Sequence, residues 1–213
     1  MTQVRVSGFS VSLDGFAAGP DQSHLQPLGK RGLELHQWFF DTKSFSAMIP
    51  TPADCEGVDK VNADRALRGA GAFILGRNMF GPIRGDWGEE NWQGWWGDNP
   101  PWHAPTFILT HYARAPVRMQ GGTEFHFVTE GIVTALDLAK SAAGEKDVVI
   151  GGGAATIRQY LQAGLIDELQ LAVVPIFLGQ GEQLLTGIDL PALGFEVTRR
   201  AVGEHAMHVS LSR

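Results

Sequence analysis

Cysteine is almost absent from this chain of 213 residues, with Cys55 the single thiol. A lone cysteine excludes an internal disulfide and any cysteine-built metal cluster, and it fits a reducing compartment. Positive charge is also scarce: 17 Lys and Arg stand against 23 Asp and Glu, a formal net charge of −6. That balance excludes a general binder of nucleic acid or anionic membrane, because no excess of cations remains to neutralise phosphates over an extended surface. No apolar run is long enough to span a bilayer, and the opening Met1–Thr2–Gln3–Val4–Arg5–Val6 lacks the apolar region of a secretory signal. We therefore expect a cytoplasmic protein. Of the seven histidines, His205 and His208 lie closest in sequence, but their odd spacing on a strand sends them to opposite faces, so no metal site is expected.

What remains is a composition 44% hydrophobic and 19% charged, enough to bury a sizeable core, and we read residues 1–213 as a single domain. The most informative stretch is Val148–Val149–Ile150–Gly151–Gly152–Gly153–Ala154–Ala155–Thr156. A β-branched run meets three glycines and passes into Ile157, Tyr160 and Leu161 at helical spacing, which predicts strand, tight turn, helix. Such a junction is either a turn and nothing more or a cradle for phosphate, since glycine admits an anion close to the backbone and a helix start offers free N–H groups.

Residues 4–13 alternate apolar and small polar side chains, interrupted only at Gly8–Phe9, and predict an opening strand ended by Asp14–Gly15. A Gly- and Pro-rich loop follows to Gly32. Leu35, Trp38, Phe39, Thr42 and Phe45 predict one amphipathic helix over residues 33–48, stopped by Pro50 and Pro52. A second helix is expected over residues 58–68 with Val61 and Leu67 inward. Strands are expected over residues 70–76, 106–110, 125–128 and 165–175, helices over 131–143 and 157–163, and a closing hairpin over 195–202 and 205–212. Residues 81–103 hold Trp87, Trp92, Trp95, Trp96 and Trp102 and form either a satellite core or the wall or lid of a pocket. Strands separated by helices and closed by a hairpin give an α/β domain with a mixed sheet and helices on both faces.

Several of these stretches, taken in order, resemble a known family. Ser12–Leu13–Asp14–Gly15, Ile74–Leu75–Gly76–Arg77, Phe107–Ile108–Leu109–Thr110–His111, the glycine triplet, Leu165–Ile166–Asp167–Glu168–Leu169 and Val174–Pro175–Ile176–Phe177–Leu178–Gly179–Gln180–Gly181 are similar to the dihydrofolate-reductase-like family. The nearest branch is the one related to the C-terminal reductase domain of the bifunctional riboflavin-biosynthesis deaminase/reductase. The resemblance implies a three-layer sandwich whose mainly parallel sheet has about eight strands, and NADPH bound across the carboxyl ends of the central strands. It places the pyrophosphate on Gly151, Gly152, Gly153, Ala154, Ala155 and Thr156. Gly76, Arg77 and Asn78 form a second phosphate junction, Thr110 and His111 lie at the adenosine ribose and its phosphate, and Ser10, Ala17 and Ala18 lie at the nicotinamide amide.

The substrate half departs from folate reductase. The strand over residues 169–174 is apolar where that enzyme carries a threonine, and the first long helix offers Asp41 as the acid, with Glu34 and His36 as further candidates. Asp14 reads as a loop-shaping residue. The expected activity is an NADPH-dependent reduction of a small planar heterocycle, pteridine- or pyrimidine-like, or of a conjugated carbonyl, in a pocket near Trp38, Phe39 and Phe80. The alternative is a non-catalytic, dimeric nucleotide-binding module of the same fold. A homodimer is implied in either case.

Overall fold

The computed structural model describes residues 2–44, 56–81, 85–88 and 92–213. Phe45, Met48, Pro50, Pro52, Cys55 and the side chain of Leu67 lie outside that description. In chain order the strands of the main sheet are β1 (Val4–Ser12), β3 (Ala70–Gly76), β4 (Pro105–Leu109), β5 (Val117–Arg118), β6 (Glu124–Val128), β7 (Asp147–Gly152), β8 (Glu168–Val174), β10 (Glu196–Val202) and β11 (Met207–Ser212). Two further short strands, β2 (Phe16–Ala18) and β9 (Glu182–Gln183), pair with each other as a separate antiparallel ribbon.

The main sheet has nine strands in the order β10-β11-β8-β1-β7-β3-β4-β6-β5. From β8 to β6 every pairing is parallel, while the pairings β8–β11, β11–β10 and β6–β5 are antiparallel. The strand beyond the expected eight is β5, two residues long and too short to leave a periodic signal. This is the mixed, mainly parallel sheet of the dihydrofolate-reductase-like fold, and its closing hairpin is β10–β11. No helix among the described residues is long and apolar enough to cross a membrane.

Strand periodicity assigns the two faces. Ala72 and Ile74, Phe107, Val128, Leu169 and Leu171 face one side, where they pack on helices α4 (Ile132–Ala143) and α5 (Ala154–Gln162). Leu75, Ile108, Phe125, Ala172 and Val174 face the other. That face carries two separate clusters. One lies under a 3₁₀ turn (Gly32–His36), the single-turn helix α1 (Gln37–Phe40) and helix α2 (Val58–Leu67). The other lies under the single-turn helix α3 (Arg77–Phe80) and the Trp-rich segment.

In β1 the irregularity at Gly8–Phe9 is a bulge. The register against β8 shifts between Val6 and Phe9, and Gly8 sits at φ 62°. The extra residue turns Val6 and Val11 toward the same helices despite their odd separation. A side chain at Gly8 would press on Ala66 of α2 at 3.1 Å, so glycine also sets the approach of that helix.

Two helix expectations are corrected. Over residues 33–48 the structure shows no continuous α-helix but a 3₁₀ turn followed by α1, with Asp41 at its carboxyl cap. Gly32, Leu35 and Trp38 are the buried positions, a spacing of three that suits the tighter 3₁₀ turn. In α2, Val61 points outward at 55% exposure, and the buried residues are Asp59, Asn62 and Ala63. The buried polar pair has partners on the closing hairpin: Asp59 Oδ1 lies 2.7 Å from His208 Nε2, and Asn62 Oδ1 accepts from Arg199 Nη1 at 3.4 Å.

Candidate functional site

Parallel strands β1, β7, β3 and β4 are neighbours, so their carboxyl ends open on one edge of the sheet. In parallel α/β sheets that edge is where loops and helix starts converge on ligands. Here it gathers Asp14 beyond β1, Gly151–Gly152–Gly153 at the end of β7, Gly76–Arg77 at the end of β3 and Thr110–His111 beyond β4.

The three glycines have different tasks. A Cβ on Gly151 would meet Leu75 Cδ2 at 2.5 Å, and one on Gly152, at φ 119°, would meet the Phe9 ring at 2.7 Å. Gly153 has nothing within 4 Å of its Cβ position and fronts open space. The Gly152–Gly153 peptide is cis. Helix α5 starts directly after it with no side-chain cap, and Ile157 N–H is the first to find an acceptor, Gly153 O at 3.1 Å. The N–H groups of Ala154, Ala155 and Thr156 therefore have no acceptor among the described residues, and the helix dipole adds to their positive character. Gly76 lies against this helix start so closely that a Cβ there would overlap Thr156 Oγ1.

Thr110 N–H donates to Val128 O at 3.0 Å, and its hydroxyl accepts the Tyr112 N–H at 3.2 Å, so the turn after β4 is fixed. His111 and Asn78 are exposed. Arg77 lies flat over Trp87, its guanidinium carbon 3.3 Å from the ring centroid. Burial, with the Arg114 charge nearby, lowers it to about 10.

On the β1 side, Ser10 is buried and its hydroxyl accepts the Trp38 Nε1–H at 2.8 Å. Ala17 and Ala18 are buried in β2. Asp14 ties loops together: Ser12 donates to it, as do the N–H groups of Leu178 and Gly179. The Ser12 hydroxyl foremost, then those N–H groups, hold its carboxyl below the ordinary carboxylate range.

Trp38 and Phe80 are not at the surface of a pocket. Trp38 is 1% exposed, packed edge-on against His208 and Phe39, and Phe80 is 0% exposed among Trp87, Phe125 and Phe127. Both rings fill the core, and they belong to different clusters. Phe39 is half-buried beside Trp38. Of the tryptophans, Trp87 joins Phe80 directly and Trp96 and Trp102 pack on Phe125, so the satellite-core reading describes them. Trp92 and Trp95 meet His24 from the loop after β2, at 5.0 and 5.5 Å between ring centroids.

Asp41 Oδ1 accepts from the Gln37 amide at 2.7 Å, and Oδ2 lies 3.9 Å from His205 Nε2. Glu34 is engaged by Arg31 on the surface. His36 is held below the ordinary imidazole range by burial, and its Nδ1 has no partner among the described residues. The sequence reading passed over Arg114 and the Asp59–His208 pair. The first shows no local motif, and the second joins residues far apart in the chain.

Nine mixed strands with helices on both faces, and an uncapped helix start at the carboxyl edge, define a reductase-like α/β protein of the dihydrofolate-reductase-like fold. Residues 6–205 match the family described as RibD C-terminal domain, and the chain belongs to that family. Among curated proteins it is similar to the uncharacterized protein YyaP of Bacillus subtilis (strain 168), 32% identical over 62 residues, which is 29% of this chain and 32% of that protein. Among solved structures it is similar to a protein described as a riboflavin biosynthesis protein from Shewanella sp. PV-4, with a TM-score of 0.59 at 20% identity, over 100% of this chain and 99% of that one. A diaminohydroxyphosphoribosylaminopyrimidine deaminase/5-amino-6-(5-phosphoribosylamino)uracil reductase from Thermotoga maritima gives a TM-score of 0.53 at 12% identity, and the match spans 99% of this chain and 56% of that larger one. RibD of Acinetobacter baumannii gives 0.51 at 17% identity, covering 100% of this chain and 58% of that one. At such identities the likeness concerns the fold.

Proposed function

We propose that this chain is an NADPH-dependent reductase that delivers hydride to a small planar heterocycle of the pteridine or pyrimidine kind, or to a conjugated carbonyl. The observation that carries the reading is the uncapped start of α5 beside Gly153, open to space on one side and flanked by Gly76–Arg77 and Thr110–His111. Free N–H groups, a helix dipole and a guanidinium whose Nε and Nη2 have no acceptor among the described residues suit a polyanionic dinucleotide. When bound, the cofactor supplies the hydride, so the chain need only bind, orient and exclude water.

In this reading the N–H groups of Ala154, Ala155 and Thr156 hold the pyrophosphate at the gap beyond Gly151 and Gly152, with Gly76, Arg77 and Asn78 on its other side. Thr110 and His111 lie at the adenosine ribose and its phosphate. Backbone groups at Ser10, Ala17 and Ala18 orient the nicotinamide. Asp41 is the proposed proton donor, with His205 beside its Oδ2. The protein acts in the cytosol as a homodimer, for which the exposed edge strand β10 is the proposed contact.

One observation favours a second reading, a dimeric nucleotide-binding module without turnover. Trp38 and Phe80 are buried and Ala172 and Val174 are apolar, so the accessible carboxylates expected on the substrate side are those of Asp41 and Glu34, the latter engaged by Arg31. Titration with NADPH and NADH, read by tryptophan emission and by the rise in melting temperature, tests cofactor binding. Loss of reduced-nicotinamide absorbance with a panel of pteridines, pyrimidines and enones then separates the two readings. Neither binding nor stabilisation by NADPH would remove both.

A further inference from the structure

Ser10, Ala172 and His208 form one row across neighbouring strands, since Ser10 of β1 pairs with Ala172 of β8 and Ala172 pairs with His208 of β11. Trp38 lies across that row. Its Nε1–H donates to Ser10 Oγ at 2.8 Å, and its ring meets the His208 ring edge-on at 4.9 Å between centroids. Ala172, fully buried between the two, leaves space for an indole where a larger side chain would fill it. The His208 end of the row is anchored. Asp59, in the first turn of α2, has a side chain 0% exposed, and its Oδ1 lies 2.7 Å from His208 Nε2. Its Oδ2 accepts the His205 N–H at 2.9 Å, and Gly203 makes room for the carboxylate, since a Cβ there would overlap Oδ1. An imidazole facing a carboxylate presents Nε2–H to it, which fixes the tautomer and the ring plane. His208 is thereby held in one orientation against Trp38, and Trp38 in one orientation against Ser10.

The Ser10 end is open. An indole nitrogen can only donate, so its bond occupies a lone pair of the hydroxyl and leaves the Ser10 O–H to donate elsewhere. That hydrogen has no acceptor among the described residues. Ser10 is 4% exposed, so little water competes for it, and it stands near the end of β1, at the edge where the parallel strands open. Its cross-strand neighbour Ala172 and the nearby Val174 carry no polar side-chain atom. A buried donor aligned but left without an acceptor is complementary to an acceptor atom that a ligand brings.

We propose that the Ser10 hydroxyl is a substrate-side hydrogen-bond donor, engaging a carbonyl oxygen of a planar, conjugated acceptor, and that Trp38, His208 and Asp59 are positioning residues that aim it. The proposal rests on the reductase reading above, in which the Ser10 backbone meets the nicotinamide and the face under α1 belongs to the substrate. Hydride added at the β-carbon of a conjugated carbonyl leaves an electron pair, with its charge, on the oxygen until a proton is taken up. A hydrogen bond to that oxygen strengthens as the charge grows, so the Ser10 donor favours the transition state over the bound substrate.

The test compares wild type with Ser10→Ala, with Trp38→Phe, which keeps a ring and deletes the N–H, and with His208→Gln, which keeps a donor to Asp59 and removes the ring from Trp38. The last two are also made in the Ser10→Ala background. NADPH oxidation is followed with cyclohex-2-enone as the acceptor, and NADPH affinity by calorimetry. Ser10→Ala should lose ~10- to 100-fold in kcat/KM for the enone and change the NADPH dissociation constant by about 2-fold or less. Trp38→Phe and His208→Gln should each lose roughly 3- to 10-fold in kcat/KM and almost nothing further in the Ser10→Ala background, whereas a merely structural role would act alike in both. Enone kinetics unchanged by Ser10→Ala overturn the donor and leave the reductase reading intact, and equal losses in the two backgrounds overturn the positioning chain. A second readout needs no turnover. The Trp38 indole N–H resonance of isotope-labelled protein, identified by its loss in Trp38→Phe, is titrated with uracil in the presence of NADPH. A uracil-dependent shift in wild type that Ser10→Ala abolishes supports the donor even where the enone is not reduced, and the turnover reading then fails alone. A shift retained in Ser10→Ala overturns the donor, and no shift together with no reduction removes both.

Discussion

Gly76→Ala tests how tightly the two phosphate-side junctions are coupled. The new Cβ would overlap one atom, Thr156 Oγ1, while its distances to Gly152 O and Gly153 N, 3.5 and 3.6 Å, are ordinary contacts. Thr156 is buried in the first turn of α5 and, being β-branched, has few rotamers into which it can retreat. Relief requires the helix start to withdraw from β3. Overpacking of this kind costs about 1–3 kcal/mol. For a chain of this length each kcal/mol corresponds to roughly 2–4 °C, so the melting temperature should fall by about 2–12 °C. Because the clash has a single partner, Thr156→Ala should remove it. In a double-mutant cycle read by urea denaturation, Gly76→Ala should cost less than about 0.5 kcal/mol in the Thr156→Ala background, a coupling of at least ~0.5 kcal/mol. Additive effects would refute the argument that Gly76 is glycine because of Thr156.

Further outcomes follow from the buried polar groups. Burial foremost, with Arg199 adding to it against the pull of Asp59, holds His208 below the ordinary imidazole range, and burial does the same to His36. Below pH ~6.5 the unfolded chain therefore binds protons that the folded chain refuses, so stability is full above that pH and declines as pH falls, by up to about 1.4 kcal/mol per unit for each histidine. Thermal scans from pH 8 to 5 should show this decline, less steeply in His208→Gln, and a flat profile would contradict it. Tyr160→Phe deletes the bond from the buried hydroxyl to Ile132 O at 2.8 Å, which ties α5 to the start of α4. It should cost about 1 kcal/mol in chemical denaturation, and an unchanged midpoint would show that the bond adds nothing.

The sequence made the sheet legible where one face's pattern decides a strand. Ala72, Ile74 and Leu75 sort cleanly to opposite sides, and the break at Gly8–Phe9 marks the bulge that rephases β1. The glycine triplet marked the right turn but not its division of labour. That Gly151 and Gly152 yield to Leu75 and Phe9, while Gly153 fronts open space, depends on neighbours from other strands. Helix α2 misled because it buries Asp59 and Asn62 in place of Val61, a choice set by His208 on the far hairpin. The aromatic stripe after Gly32 was assigned the wrong period, since Leu35 and Trp38 repeat every three residues. Arg114 carries no motif at all, and its place over Trp87, beside Arg77, comes only from the fold.

The central claim is that the start of α5 holds the cofactor's pyrophosphate. Ala155 is exposed in the first turn of that helix, so an acid there leaves the core untouched and complements the helix dipole. Calorimetric titration of NADPH into wild type and Ala155→Asp tests the claim most directly. The account predicts saturable binding to wild type and at least ~10-fold weaker binding to Ala155→Asp, whose added charge repels the phosphates, with an unchanged or higher melting temperature. Equal affinity in the two proteins would contradict it.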